Sequence, residues 1–213
     1  DKVLGGNLRE HQGVHGALFA VWAPSARGVS VVGDFNNWDG RIHRMRPRGT
    51  SGIWELFIPG LQQGDLYKYE IFAQDGRLLN KLDPVGRFSE LRPRLGNVLW
   101  KRDNFIWNDS EWLQQRAKNS IYNRPMSIYE VHAGSWKNES GNDFPNWEQL
   151  AKTMIPYVKE MGFTHIEFMP LAEHPLDQSW GYQVNGYFSA TARYGTPEQL
   201  KAFIDTAHRA GIG

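Results

Sequence analysis

The sequence predicts a chain with more than one domain: a small all-β sandwich, followed by the beginning of a parallel α/β unit. Two observations predict this order. From about residue 17 to residue 100, short stretches rich in β-branched and aromatic residues alternate with turn residues, without helical periodicity. After residue 125 the pattern becomes strand, helix, strand, long loop and helix. The chain of 213 residues is long enough for one or two domains.

The first part, residues 1–100, is predicted to be the sandwich. Its four predicted strands have a spacing that fits hairpins, and they cover residues 17–24, 29–35, 53–60 and 67–73. Asp75 and Gly76 predict a two-residue hairpin turn of type I′, which needs positive φ at both central positions. Residues 83–96 hold two Pro and two Gly, and they predict an irregular tail.

A linker is predicted for residues 101–124, which are polar with scattered aromatics and favour about one helical turn. The α/β part then covers residues 125–213. Its predicted strands are residues 126–134 and 163–170, and both read as buried. Between them, apolar residues at 3.6-residue spacing predict a helix that begins near Trp147. Pro156 should kink this helix, because proline lacks the backbone N–H.

A second helix is predicted by capping signals. Thr196 is its N-cap, Pro197 its first residue and Gln199 the partner of a capping box. Gly211 is the expected C-cap. This order of elements fits either an open α/β sheet or a (β/α)₈ barrel. Two βα units cannot close a barrel, so we expect a truncated piece or a small α/β appendage on a β module.

Composition excludes several classes of function. The 24 Lys and Arg nearly balance the 23 Asp and Glu, so a net charge of +1 gives no general attraction to nucleic acid or acidic membranes. No apolar run approaches the ~18 residues that span a bilayer. The chain has no cysteine, which favours the cytoplasm. Metal-binding and phosphate-loop patterns are absent, so we expect no metal and no other cofactor.

The high aromatic content fits a large core, and it also fits a sugar-binding surface. Aromatic residues make up 13% of the chain, with nine Trp. Flat rings also suit the apolar faces of pyranose sugars. The loop of residues 171–195 follows the second α/β strand, where ligands bind in such folds, and it is far longer than the usual ~2–6 residues. It is therefore a candidate binding loop.

Candidate polar groups lie near the ends of the α/β strands. Glu173 and Asp177 could supply the two carboxylates of a retaining glycosidase, although sequence spacing does not fix their separation. The carboxylates within the strands, Glu130 and Glu167, are expected to be paired in a polar layer. His165 is expected to be a hydrogen-bonded core histidine. The other polar side chains considered at the strand ends are those of His132 and His174.

Three stretches resemble a known family. "FAVWAPSARGVSVVGDFNNWDGRIHRM" resembles the glycogen-binding-type β-sandwich of α-glucan-acting enzymes. "SIYEVHAGSW" and "EHPLDQSWGYQ" are similar to the start of the catalytic barrel of the 1,4-α-glucan (glycogen) branching enzymes, in the α-amylase superfamily. The resemblance covers nearly the whole chain. It implies an immunoglobulin-like sandwich followed by the first two βα units of a truncated (β/α)₈ TIM barrel.

The resemblance also implies a reaction. A carboxylate attacks an α-1,4 linkage to form a covalent glucan–enzyme intermediate, and a 6-hydroxyl displaces it to create an α-1,6 branch. In the family, the nucleophile, the acid/base and a third carboxylate come from later barrel strands. We therefore expect no catalytic residue in this chain and no activity from it alone, and Glu173 and Asp177 are not expected to be the catalytic pair.

Substrate-binding residues follow from the same resemblance. Tyr182 corresponds to the tyrosine that stacks on the sugar at the cleavage point, and Trp180 and Gln183 flank it. In the sandwich, Trp38 is the sugar-stacking candidate. Such modules often carry a second Trp after the Asp-Gly hairpin, where this chain has Leu78. A single platform predicts weak binding, so a module that only buttresses the barrel stays open.

Other interpretations also stay open. The chain could be a non-catalytic glucan-binding or scaffolding protein, or part of a debranching or trehalose-releasing hydrolase, although the EHP motif and Gln183 argue against a hydrolase. The expected partner in each case is an α-1,4-glucan of the glycogen type, with no nucleic acid and no membrane. The oligomeric state is not predicted, but an unclosed barrel should expose the edge of its second strand and favour self-association.

Overall fold

The computed structural model describes residues 3–102, 105–137, 141 and 144–213, which form two compact units. Within these residues no helix is long and apolar enough to cross a membrane. We call the two units the sandwich unit and the α/β unit. The sandwich unit comprises Asp1–Arg102, Ala172–Pro175 and Gln183–Ala190, and the α/β unit comprises Asp103–Leu171, Leu176–Tyr182 and Thr191–Gly213.

In the described part of the first 102 residues, eight strands form two antiparallel sheets. They are β1 (Gly5–His11), β2 (Val14–Trp22), β3 (Ala26–Gly33), β4 (Arg46–Pro47), β5 (Ile53–Pro59), β6 (Leu66–Ala73), β7 (Leu78–Lys81) and β8 (Asn97–Val98). One sheet has the order β1-β2-β5-β4, and the other has the order β3-β6-β7 with β8 also paired to β6. The four predicted strands correspond to β2, β3, β5 and β6, so the predicted sandwich is confirmed.

Alternation explains why these segments form a sandwich. In β2, the side chains of Ala17, Phe19 and Val21 point to one face and are buried. In the facing sheet, Tyr67 and Tyr69 of β6 do the same, and both sets share one hydrophobic core. The strand β1 was not predicted. Its sequence, GGNLREH, lacks β-branched and aromatic residues, and it is held as an edge strand by pairing with β2 along its whole length.

The hairpin between β6 and β7 is present, but its predicted turn type is wrong. The N–H of Gly76 donates to the carbonyl of Ala73 at 3.1 Å, and the N–H of Ala73 donates to that of Arg77 at 2.9 Å. Positive φ occurs at Gly76, at 85°, and not at Asp75. The connection is therefore a three-residue loop with glycine in the left-handed position, which also suits the twist of a hairpin.

The α/β unit contains α1 (Ser110–Lys118), β9 (Ile128–Val131), α2 (Trp147–Glu160), β10 (His165–Phe168) and α3 (Pro197–Arg209). The strands β9 and β10 pair in parallel, as the β-α-β order predicts. Most of the predicted apolar stripe of α2 is buried, although Met161 just beyond the helix is exposed, and the helix is continuous through Pro156. The predicted capping box of α3 is present, since Thr196 and Gln199 exchange side-chain-to-backbone hydrogen bonds of 2.9 and 3.3 Å.

The segment predicted as a linker holds more structure than one helical turn. Its helix α1 has nine residues, none of which is fully buried, so it lacks the apolar periodicity by which a helix is recognised. Helix α1 is held against α3 by contacts between a few individual side chains. The Trp112 ring stacks on the His208 ring of α3 with centroids 3.7 Å apart, and the His208 imidazole lies 2.6 Å from the carboxylate of Asp109.

Candidate functional site

Trp38 lies at the end of a tight turn in the sandwich unit. A short 3₁₀ turn, Asp34–Asn36, is followed by two residues with positive φ, 53° at Asn37 and 59° at Trp38. The Trp38 indole N–H donates to the carboxylate of Asp34 at 2.8 Å. The buried Asn36 side chain holds the turn, because its Oδ1 accepts from the N–H of Gly33 at 2.9 Å. The main-chain N–H of Trp38 donates to the carbonyl of Gly33 at 2.9 Å, so hydrogen bonds hold both the backbone and the ring of Trp38.

A pocket of about 510 Å³ opens beside Trp38, whose side chain is 39% exposed. It combines one aromatic ring with four charged side chains, which suits a polyhydroxylated ligand with an apolar face. Its lining residues are Asp34, Trp38, Leu66, Lys68, Glu90, Pro93, Arg94 and Leu95. Leu78, which stands where a second Trp was expected, is exposed on β7 and does not line this pocket.

The predicted substrate-binding residues Trp180 and Tyr182 share one turn of the α/β unit. A 3₁₀ turn, Asp177–Ser179, ends at Trp180, which has φ of 53°. The N–H of Trp180 donates to the carbonyl of Asp177, and the N–H of Tyr182 donates to that of Ser179, each at 3.0 Å. Both rings remain exposed, 54% for Trp180 and 66% for Tyr182. Exposed rings on a hydrogen-bonded backbone form a platform that a ligand can reach.

Gly181 separates the two rings, and two features require glycine there. Its φ is 87°, a conformation that costs other residues energy. A Cβ at this position would also overlap the carbonyl oxygen of Pro170. The Trp180–Tyr182 turn therefore lies directly against Pro170, which follows β10 closely in the chain.

Gln183 follows Tyr182 in the chain and is exposed, but it belongs to the sandwich unit. It lies in the chain between the two strands of a short antiparallel pair, β11 (Ala172–Glu173) and β12 (Gly186–Ala190). This pair is tied to the tail of the sandwich, since the Ser89 hydroxyl donates to the buried hydroxyl of Ser189 at 3.0 Å. The structure thus brings Trp180 and Tyr182 together on one turn, while Trp38 lines a separate pocket within the sandwich unit.

The two carboxylates considered for catalysis each have structural contacts. Glu173 is buried, and its Oε1 accepts a hydrogen bond from the N–H of His174 at 3.0 Å. Asp177 accepts two hydrogen bonds from the guanidinium of Arg193. Both groups therefore stabilise the loop in which they lie, a role that differs from that of a nucleophile facing a substrate.

The remaining polar candidates have distinct surroundings. His174 is buried and its Nδ1 donates to the carbonyl of Ala172 at 2.9 Å, so it organises the loop. His165 is half-buried and lies 2.8 Å from the Thr164 hydroxyl. The expectation for the strand carboxylates is wrong, because Glu130 and Glu167 are exposed and lie opposite each other in the register of β9 and β10. Like charges at such positions repel, so no buried polar pair forms there.

Across the described ranges, no group of three or more His, Cys, Asp or Glu side chains could hold a metal ion. His132, near the end of β9, is placed beside the platform instead. Its ring centroid lies 6.3 Å from that of Trp180, and its Nδ1 is 2.8 Å from the Ser135 hydroxyl. It therefore supports one side of the Trp180 ring.

Sequence reasoning missed several residues around these surfaces. Lys68 lies on β6 between the buried Tyr67 and Tyr69, so strict alternation could have predicted that it points away from the core. Glu90 and Arg94 lie in the irregular tail, where no periodic signal exists. Arg193 is also missed, because it is a charged residue in a loop and the sequence shows no partner for it.

Comparison with known proteins supports both parts of the prediction. Residues 3–86 match the family model of carbohydrate-binding module 48 (isoamylase N-terminal domain), and residues 130–213 match that of the α-amylase catalytic domain. The catalytic module of the glycogen-degrading pneumococcal virulence factor SpuA shares the fold over 100% of this chain and 36% of its own, with a TM-score of 0.69 at 20% identity.

Two curated relatives carry the name 1,4-α-glucan branching enzyme GlgB. The one from Thiobacillus denitrificans is 53% identical over 212 residues, and the one from Pseudomonas aeruginosa is 54% identical over 210 residues. The alignments cover 100% and 99% of this chain, which spans 29% of the length of each relative. With its sandwich, its parallel βαβ unit and this level of identity along its whole length, the chain is homologous to part of the 1,4-α-glucan branching enzymes.

Proposed function

We propose that this chain is part of a 1,4-α-glucan branching enzyme, which transfers an α-1,4-glucan segment to a 6-hydroxyl to form α-1,6 branches in a glycogen-type polymer. The Trp180–Tyr182 turn carries the proposal, because it presents two exposed rings on a fixed backbone in a chain about half identical to proteins of that name. The reaction is placed in the cytoplasm, in keeping with a chain that lacks cysteine.

In this proposal the chain binds and orients the donor glucan, and the reacting carboxylates come from outside it. The exposed face of Tyr182 stacks on the apolar face of the sugar at the cleavage point, and Trp180 and Gln183 border that position. Stacking of this kind helps catalysis when it is stronger on the flattened, oxocarbenium-like ring of the transition state than on the ground-state sugar.

The test uses the full-length branching enzyme with Tyr182→Ala. Removal of the ring should lower the rate of α-1,6 branch formation at least tenfold, which corresponds to about 1.4 kcal/mol of transition-state stabilisation. Tyr122→Ala is the matched control, because Tyr122 is another strongly exposed tyrosine of the α/β unit and lies outside the loop. The measurement is the initial rate of branch formation on a linear α-1,4-glucan, with folding checked by thermal unfolding.

An unchanged branching rate for Tyr182→Ala would refute the assigned role. The same assay separates the related hydrolases from a branching enzyme. A hydrolase would release new reducing ends without forming branches, because water instead of a sugar hydroxyl resolves the covalent intermediate.

A second candidate function, glucan binding without catalysis, is favoured by the pocket beside Trp38. In that case the sandwich unit retains glucan through the indole face and the charged side chains around it. Trp38→Ala should then weaken retention of the protein by immobilised α-1,4-glucan, whereas Trp22→Ala, which removes another exposed indole of the sandwich unit, should not. If Trp38→Ala is retained as strongly as Trp22→Ala, the indole of Trp38 does not bind glucan and this second function is refuted.

A further inference from the structure

An ion pair between the buried Arg193 and the partly exposed Asp177 anchors the Trp180–Tyr182 turn. The Arg193 side chain is 1% exposed, and its Nε and Nη2 lie 2.9 and 2.6 Å from Oδ1 of Asp177. Two N–H groups of one guanidinium therefore converge on a single carboxylate oxygen. Charge-assisted contacts of this kind are short and directional, so they restrain the position of the carboxylate as well as neutralising it.

Arg193 is itself held in place by its surroundings. Its Nη1 donates to the hydroxyl of Thr191 at 3.0 Å, and the N–H of Thr191 donates to the carbonyl of Leu171 at 2.8 Å. The guanidinium carbon also lies 6.0 Å from the centre of the Phe144 ring. Arg193 is thus fixed to the segment that follows β10, and it presents its charge to Asp177 from a rigid position.

Asp177 connects Arg193 to the Trp180–Tyr182 turn. It is the first residue of the 3₁₀ turn, and its carbonyl accepts the N–H of Trp180. Two more hydrogen bonds close the turn, from the N–H and the hydroxyl of Ser179 to the carbonyl of Leu176, at 3.1 and 2.7 Å. The side chain of Asp177 is bound to Arg193 while its main chain carries the ring-bearing residues.

We propose that Arg193 and Asp177 are positioning residues, which hold the Trp180–Tyr182 turn in the orientation that the donor glucan requires. The proposal rests on the proposed function of Tyr182 as the sugar-stacking residue. Neither side chain of the pair touches the sugar. Their effect on the reaction passes entirely through the backbone of the turn.

The energetics make the pair a strong restraint. A guanidinium that is almost fully buried is unfavourable without its counter-charge, so loss of Asp177 favours a rearranged loop in which Arg193 reaches water. The turn also needs left-handed backbone at Trp180 and Gly181, which an unrestrained loop would leave readily. A displacement of about 1 Å at a positioning group is enough to cost ~100-fold in rate.

The test is Asp177→Asn in the full-length branching enzyme. This change keeps the shape of the side chain and one acceptor oxygen, and it removes the charge. We expect kcat/KM for branching to fall about tenfold or more, since the turn loses its strongest restraint. Asp75→Asn is the matched control, because Asp75 forms an ion pair of 2.7 Å with Arg77 on the exposed surface of the sandwich unit.

The decisive readout is the same substitution in a Tyr182→Ala background. If the pair acts through the platform, Asp177→Asn should cause little further loss once the Tyr182 ring is absent. A merely structural role would reduce the rate by the same factor in both backgrounds. Should Asp177→Asn fail to fold, Asp177→Glu keeps the charge, shifts it by one methylene group and allows the same comparison.

The outcomes distinguish this inference from the proposed function. Unchanged branching in Asp177→Asn, or equal losses in both backgrounds, overturns the positioning role and leaves the role of Tyr182 intact. An unaffected rate in Tyr182→Ala alone overturns both. A loss for Asp177→Asn that vanishes in the Tyr182→Ala background establishes the pair as the support of the platform.

Discussion

At the scale of single residues, Gly181 shows how the platform depends on one position without a side chain. We predict that Gly181→Ala destabilises the full-length enzyme by about 1–3 kcal/mol and lowers its branching rate, because the new Cβ meets the Pro170 carbonyl in a left-handed conformation. Gly162→Ala is the matched control, since Gly162 has a similar φ of 78° but open space around it. Urea unfolding and initial branching rates measure both effects.

The comparison between the two glycines isolates the contact with Pro170. If both variants lose the same stability and keep the same rate, the backbone conformation accounts for the whole cost, and close packing of the turn has no role. A larger loss for Gly181→Ala shows that the turn must lie against Pro170 for the platform to work.

At the scale of elements, the cap of α3 contributes to the stability of the α/β unit. Thr196→Ala removes the oxygen that accepts the N–H of Gln199 at 3.3 Å, and should lower the free energy of unfolding by about 0.5–2 kcal/mol. Thr206→Ala on the same helix is the control. Its hydroxyl donates to the Ala202 carbonyl within the helix and caps nothing, so its removal should be neutral or slightly stabilising. Urea unfolding measures the difference, and equal effects would contradict the capping argument.

At the scale of the whole molecule, the parallel sheet has an open edge. On the edge of β10 that faces away from β9, the N–H of Ile166 donates to the carbonyl of Gly213 at 2.9 Å, so part of this edge is paired. Within the described residues, β9 pairs only with β10. Two-stranded sheets are marginal and open edges recruit other strands, so we expect a polypeptide of these 213 residues to self-associate.

Sedimentation velocity over a range of concentrations measures this association. Ile128→Lys places a charge on the exposed side of β9, and it should reduce association, because charged edge residues disfavour strand pairing. A single monomeric species for the unmodified chain at all concentrations would show that the open edge is protected.

The parts of the fold that the sequence could predict are those whose signals lie within a few residues of each other. Helix α2 and the capping box of α3 were predicted because their signals depend on residues three or four positions apart. The binding roles of Trp38, Trp180, Tyr182 and Gln183 stay predictions, which follow from motifs that resemble those of the family. The edge strand β1 was missed, because its own sequence contains no residues that favour strands. Its pairing with β2 makes it a strand.

Other parts of the site depend on residues that are distant in the chain. Asp177 and Arg193 lie 16 positions apart, and Ser89 and Ser189 lie 100 positions apart, so no local spacing reveals either pair. From sequence spacing alone, a catalytic role for Asp177 was open, although the family resemblance argued against it; its contact with the buried Arg193 side chain indicates a structural role.

By itself, the sequence determined the two-part organisation, the order of strands and helices, the family and the aromatic residues of the loop. These properties follow from periodicity and short motifs, which act over a few residues. Only the tertiary structure decided which rings remain exposed, which carboxylates are occupied by structural contacts, and which cation supports the platform. Burial and pairing decide those properties, and both depend on segments that meet only after the chain has folded.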